Sequence, residues 1–298
     1  MDTVQRLAAL LPERTSGALL RLKGSIREVR IRAGRPVQLV SGEGETLCGE
    51  PVSAQVLAGI LSALMDYSLH TRESELAQGF FTLSDGSRAG VCGRMAGSNG
   101  AVRMADAGSL CIRIARDVPG CADPIMPVLT RDGAVRSLLV VSPPGMGKTT
   151  ILRDVARQLS MRGYCVAVAD ERHELAACCR GVPTLDVGPR TDVLDGCAKH
   201  IAIGLLLRGM APEVIVTDEI GDPRDAEAIA DASRCGVAIV ASAHGFDLDD
   251  LWKRRWLGAV LRSGAFDCAA LLQNPPGTVG RICRLAGMKG GRPVWESA

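Results

Sequence analysis

Hydrophobic and polar positions follow two different patterns along this chain, and the change falls near residue 125. Up to there apolar and polar residues alternate in short segments: EVRIR (28–32), PVQLV (36–40), FFTL (80–83), RAGVCG (88–93) and CIRIA (111–115). A period of two sends one set of side chains to a core and the other to water, so these segments are predicted strands of a small antiparallel or mixed sheet. QVLAGILSALMDYSL (55–69) has helical spacing and is predicted to lie on that sheet. Beyond residue 125 the candidate strands are apolar throughout: SLLVV (137–141), CVAVA (165–169), VIV (214–216), VAIVA (237–241) and AALL (269–272). Such runs, separated by helical patterns, fit a parallel sheet covered on both faces. The expected organisation is an α+β domain over residues 1–125, a hinge at GCADPIMP (120–127), and a second domain over 126–298.

With 298 residues, 47% of them hydrophobic, the chain can build two cores. A net charge of +2 and only 3% aromatic residues argue against a nucleic-acid binder that works through charge or base stacking. The longest apolar run, IAIGLLL (201–207), is stopped by Lys199 and Arg208, and acids and arginines interrupt the first residues, so a soluble cytoplasmic protein is expected, free to dock on a membrane complex. The eleven cysteines are scattered, apart from the adjacent Cys178 and Cys179, and form no C-x-x-C pair. They are expected as small buried hydrophobes in a reducing compartment.

VVSPPGMGKTTILRDVARQLS (140–160) carries the first chemistry. A loop that cradles a triphosphate must point backbone N–H groups inward and then open a helix whose N-terminus favours negative charge. Gly145 and Gly147 permit the close turn, Lys148 can reach the β and γ phosphates, and Thr149 offers a hydroxyl to Mg²⁺. Pro144, Met146 and Thr150 complete the expected nucleotide contact. Ser142 stands where the usual motif has its first glycine. The competing reading is a strand-to-helix turn without a ligand.

EVIVTDEIGD (213–222) ends a buried strand in adjacent acids. Asp218 is expected to hold the Mg²⁺ shell and Glu219 to polarise the attacking water; the bland alternative is a surface turn. Paired acids favour an ATPase over a small-molecule kinase, and the lack of an N-K-x-D guanine reader argues against a GTPase. VAIVASAHG (237–245) puts His244 at a strand end as a sensor of the γ-phosphate, unless it is a satisfied structural residue. VADERHELAA (168–177) sets Asp170, Glu171, Arg172 and Glu174 at another strand end, as ligand-facing groups or helix-cap acids.

LLLRGMAPEVIVTDEIGDPRDAEAI followed by VAIVASAHG resembles the secretion and pilus-retraction ATPases. SPPGMGKTTILRDVAR, VADERHELA, DVLDGCAKHIAIGLLLRGMAPEVIVTDEIG, ASAHG, SIREVRIRAGRPVQLV and CIRIARDVPGCADPIMP together resemble the stage III sporulation protein AA family of spore-forming bacteria. That resemblance implies an α/β fold: a RecA-like P-loop ATPase domain with a mostly parallel sheet, preceded by a smaller α+β domain. It also implies an ATPase of the mother-cell cytoplasm, peripheral at the engulfing membrane, that uses ATP and Mg²⁺ and acts on the channel complex joining mother cell to forespore. The related motors are homo-hexameric rings that bind ATP between their two domains, with arginines reaching across the subunit interface. Glu171 is counted with the nucleotide-binding set. Candidate cations for the γ-phosphate are Arg113, Arg116 and Arg208, the first two being otherwise the solvent face of an alternating strand; Arg30, Arg32 and Arg35 form a similar face. Two other functions fit the same residues: a nucleic-acid-binding P-loop ATPase using the basic cluster Lys253, Arg254 and Arg255, and a nucleotide-binding scaffold without turnover.

Overall fold

The computed structural model describes residues 2–65, 76, 79–83, 85–98, 101–115, 117–131, 133–178, 181–273, 282–289 and 292–295. Two compact units result, Met1–Ala115 and Arg116–Ala298.

In the first unit, helix α1 (Thr3–Leu10) starts at Asp2, whose carboxylate accepts the Gln5 N–H at 2.8 Å, and is followed by α2 (Glu13–Arg21). Strands β1 (Ile26–Arg32), β2 (Arg35–Ser41) and β3 (Gly44–Val52) follow as antiparallel neighbours, the first turn passing through Gly34 at φ 73°. Helix α3 (Ala54–Leu64), capped by the Ser53 hydroxyl, precedes β4 (Phe80–Thr82), β5 (Arg88–Ser98) and β6 (Ala101–Arg113). The six strands are ordered β3-β2-β1-β6-β5-β4. As the alternation requires, Ile26, Val29 and Ile31 are buried with Leu57, Ile60 and Leu64 of α3. Glu28, Arg30 and Arg32 take the opposite face, where Glu28 contacts Arg30 at 2.7 Å and Arg113 at 3.4 Å, and Arg32 donates to Gln38.

The second unit begins with segment 117–125, helix α4 (Met126–Leu129) and a small sheet of β7 (Thr130–Arg131) and β8 (Ala134–Val135). Residues 120–127, expected as a hinge, are packed into this unit through Ala122, Ile125 and Met126. The main elements are β9 (Leu138–Ser142), α5 (Lys148–Met161), β10 (Val166–Asp170), β11 (Thr191–Asp195), α6 (Lys199–Met210), β12 (Val214–Glu219), α7 (Pro223–Arg234), β13 (Ala238–His244), α8 (Leu248–Lys253), α9 (Arg255–Arg262), β14 (Cys268–Leu272), β15 (Ile282–Lys289) and β16 (Arg292–Trp295). They form an eight-stranded sheet ordered β11-β10-β12-β13-β9-β14-β15-β16, parallel from β11 to β14, with β15 and β16 added antiparallel.

Both faces are covered, which is why these strands lack polar alternation. Leu138 and Val140 pack with Ile151, Leu152, Val155 and Leu159 of α5. Leu139 and Val141 face the layer holding Ile203 of α6, Ile229 of α7 and Val260 of α9. Each such side chain stabilises by about 1.5–3 kcal/mol on burial, so β9 is anchored from both sides directly beneath the glycine loop. Among the nine cysteines whose side chains are described, none in a disulfide, Cys268 alone is fully buried, and Cys92, Cys165 and Cys235 are exposed, contrary to the expectation of buried hydrophobes.

Candidate active site

Between the end of β9 and the start of α5 the chain turns through residues 143–147, with Gly145 at φ 75° and Gly147 at φ 89°. A Cβ resists this left-handed region, so the glycines are what let the strand enter the helix so abruptly. Lys148, the first residue of α5, turns its ammonium back into the loop: it donates to the carbonyls of Ser142 (3.1 Å) and Pro143 (3.2 Å) and lies 2.8 Å from His244 Nδ1. Burial lowers its pKa, and the Glu219 charge opposes that shift.

The sheet brings the partners in. His244 ends β13 opposite Ser142 of β9, and Glu219 ends β12 opposite Ser242 of β13. His244 Nε2 is 2.6 Å from Glu219 Oε2. A lysine ammonium can only donate, so in this pairing Nδ1 is the acceptor, Nε2 carries the ring hydrogen, and a neutral imidazole donates to Glu219. The result is a continuous chain, Lys148 to His244 to Glu219. Arg254 holds its centre, donating to the His244 carbonyl at 2.7 Å and to Asp250 at 2.7 Å. Beyond Glu219 the strand is stopped by a capping box, in which Asp222 accepts from the Arg224 N–H at 2.8 Å, Asp225 accepts from the Asp222 N–H at 3.2 Å, and Pro223 takes the first helical position of α7.

Asp218 faces a different partner. Lys199 Nζ lies 2.5 Å from its Oδ1 and 2.7 Å from Glu171 Oε2. The ammonium sits directly against this buried oxygen, which no other hydrogen-bond donor reaches. Burial, with the charges of Asp170 and Glu174, pushes the Asp218 carboxyl up to about 6 although Lys199 works against it. Burial would discharge Lys199, but Asp218 and Glu171 together outweigh it and hold its pKa above the ordinary value. Asp170 turns to its own loop, accepting the N–H groups of Glu174 (2.8 Å), Leu175 (3.0 Å) and Ala176 (2.8 Å). Arg153 of α5 clamps the same loop through the carbonyls of Leu175 and Glu174, both at 2.7 Å. The loop bearing Glu171 is thereby tied to the helix bearing Lys148.

Lys148, Glu219 and His244 come together, and Asp218, next to Glu219 along β12, meets Glu171 through Lys199. Thr149 and Thr150 stand half-buried in the first turn of α5, while Pro144 and Gly145 are exposed on the loop beside Met146. Arg208 does not join them: it is exposed in the last turn of α6, about 13 Å along the helix from Lys199, where the chain re-enters the sheet. Arg113 lies on the outward face of the first unit's sheet, and Arg116 lies outside the described residues. Sequence reasoning overlooked Lys199, Arg153 and Arg254 as site residues. The signal for Lys199 was a cation opening an otherwise apolar helix, a position where the helix dipole disfavours it.

With β13 lying between the loop-bearing and acid-bearing strands, the second unit has the RecA-like α/β fold of the secretion ATPases. The pilus retraction motor PilT, in its crystal structure with bound ADP, aligns with 96% of this chain and 82% of its own at a TM-score of 0.61 and 14% identity. The ATPase DotB of Legionella pneumophila aligns with 85% of this chain and 73% of its own at a TM-score of 0.57 and 14% identity. These likenesses establish the fold. The chain belongs to the family described as Sporulation stage III, protein AA, whose model matches residues 6–292. Stage III sporulation protein AA of Bacillus subtilis (strain 168) is 38% identical over 291 residues, 94% of either chain. Protein SEEDLING PLASTID DEVELOPMENT 1 of Arabidopsis thaliana is 33% identical over 147 residues, 48% of this chain and 21% of that one. Among the described residues no helix is long and apolar enough to cross a membrane.

Proposed function

We propose that the protein is a Mg²⁺-dependent ATPase of secretion-motor type. In this reading it works as a homo-hexameric ring from the mother-cell cytoplasm, docked on membrane proteins of the sporulation channel, and energises assembly of that complex or transport through it. The observation that carries the ATPase reading is the hydrogen-bonded chain Lys148–His244–Glu219 at one sheet edge, directly under a left-handed glycine loop. Lys148 would exchange the loop carbonyls for phosphate oxygens. Glu219 would take a proton from the attacking water, its carboxylate oriented by the His244 N–H. A magnesium ion suits the oxygen donors present, the Thr149 hydroxyl and the buried Asp218 carboxylate, whose Oδ1 has no donor besides Lys199. When bound, it supplies charge neutralisation at the phosphates. The ring and its docking rest on the family membership and on the motor fold of PilT and DotB.

The test separates binding from turnover. Lys148→Ala is expected to weaken ATP binding by roughly 10- to 100-fold, the scale of lost charge-assisted hydrogen bonds. Glu219→Gln is expected to bind ATP normally while hydrolysis falls by about 10²-fold or more, the scale of general-base catalysis. Equal turnover in Glu219→Gln and wild type removes the role given to Glu219. Undiminished nucleotide binding in Lys148→Ala removes the phosphate loop.

A further inference from the structure

Lys199 has no part in the scheme above, yet it is among the most deeply buried charges in the second unit, at 2% exposure. It opens α6 with no side-chain cap from Ala198, so its ammonium sits at the positive end of the helix. Helix propensity does not explain it there. Its contacts do: Nζ lies between Asp218 at 2.5 Å and Glu171 at 2.7 Å, joining the end of β12 to the loop after β10. Neither acid has another cation among the ion pairs of the described residues, and the Asp218 oxygen it faces has no other hydrogen-bond donor. A buried carboxylate oxygen beside a second carboxylate, with no donor but this ammonium, is what a divalent cation would be drawn to, and a point charge on a flexible stem fills that place instead.

We propose that Lys199 is a built-in counter-cation that holds the place of a divalent ion between Asp218 and Glu171, so that the protein takes its metal with the nucleotide and not before it. The inference rests on the reading of Asp218 as the metal-facing acid. With Lys199 in place, free divalent ion meets an acid pair whose negative charge is already halved and whose shared space is filled. Nucleotide phosphates bring the further negative charge and oxygen ligands that make metal binding favourable. A lysine that served only to neutralise a buried acid would be replaceable without creating a metal site.

The probe is Mn²⁺ with nucleotide-free protein, followed by electron paramagnetic resonance and by thermal melting. Wild type should show no saturable Mn²⁺ binding at millimolar metal and no change in Tm. Lys199→Ala should bind Mn²⁺ at least about tenfold more tightly than wild type and should melt about 5 °C higher with saturating metal, since a ligand specific to the folded state stabilises it. Adding Glu171→Gln should abolish both gains. Lys199→Gln, which can donate to both carboxylates, guards against loss of fold and should also gain Mn²⁺ affinity. Four results would overturn the inference: Mn²⁺ binding by wild type, no gain in a folded Lys199 variant, a gain that survives Glu171→Gln, or variants that do not fold even with Mn²⁺. Nucleotide binding by wild type is measured separately. If it is present while the Mn²⁺ result fails, the ATPase reading stands without this device; if it is absent, that reading falls whatever Mn²⁺ does.

Discussion

At the scale of single residues, His244 is where the site's parts meet, because one ring contacts both Lys148 of the glycine loop and Glu219. Losing the 2.6 Å contact to Glu219 removes one charge-assisted hydrogen bond, about 1.5–3 kcal/mol. Replacement of His244 by alanine is therefore expected to slow ATP hydrolysis by roughly 10- to 100-fold. Nucleotide affinity should change much less, since Lys148 keeps its own reach to phosphate. Steady-state turnover beside equilibrium binding of a fluorescent ATP analogue measures both, and a matched loss in each would assign His244 to binding. The meeting of Lys148, Glu219 and His244 was legible because each stands in a short motif at a strand end, where backbone and chemistry are local. Lys199, Arg153 and Arg254 were not, because their meaning lies in partners 19, 22 and 10 positions away in the chain. Asp170 shows the opposite limit. It shares a strand end with possible ligand-facing acids, yet three loop N–H groups claim its carboxylate.

At the scale of elements, α5 is held by its apolar face and, beside it, by Asp154 at its centre. That carboxylate accepts the Ala122 N–H at 2.9 Å and the Arg157 guanidinium at 2.6 Å, pinning segment 117–125 against the helix that opens the loop. Burial, the largest single influence, pushes the carboxyl up, but the Ala122 N–H, Arg157 and Gln158 outweigh it and hold the pKa below 3.8. Asp154→Ala is expected to cost about 1–3 kcal/mol by leaving a buried N–H without an acceptor. A group with a depressed folded pKa contributes in full above its unfolded value and loses that contribution as pH falls through the folded one. The gap between wild type and variant should thus be the same at pH 7 and pH 5 and should close in acid below 3.8. Denaturant melts across that range check it, and a gap that widens in acid refutes the ion-pair account. Elements with strong periodicity were readable: the alternating strands of the first unit and the apolar strands β9, β10, β12, β13 and β14. The helix expected over 55–69 is seen as Ala54–Leu64, its expected end running into residues outside those described. Strand β11, TDVLD, has no apolar run to betray it and exists because β10 offers it a parallel edge. Strands β15 and β16 are likewise made by pairing at the sheet's far edge.

At the scale of the molecule, the distribution of cores sets what can be separated. The first unit's cluster is drawn from residues between Val4 and Ile112, and both clusters of the second unit from residues between Ala122 and Leu272. Every site residue named here from Ser142 to Arg254 belongs to the second unit. A sheet covered on both faces meets the requirement for independent folding, a closed core of its own. Residues 116–298 produced alone are therefore expected to unfold cooperatively and to bind ATP with Mg²⁺ within about tenfold of the full chain, a difference of ~1.4 kcal/mol. Hydrolysis by the fragment should fall further than binding if turnover takes place, as proposed, in a ring of full-length chains. Calorimetric unfolding with nucleotide titration, run on fragment and full chain side by side, decides between the cases. Loss of binding in a folded fragment would mean that the phosphate loop and its acids do not suffice, and that residues of the first unit hold the nucleotide as well.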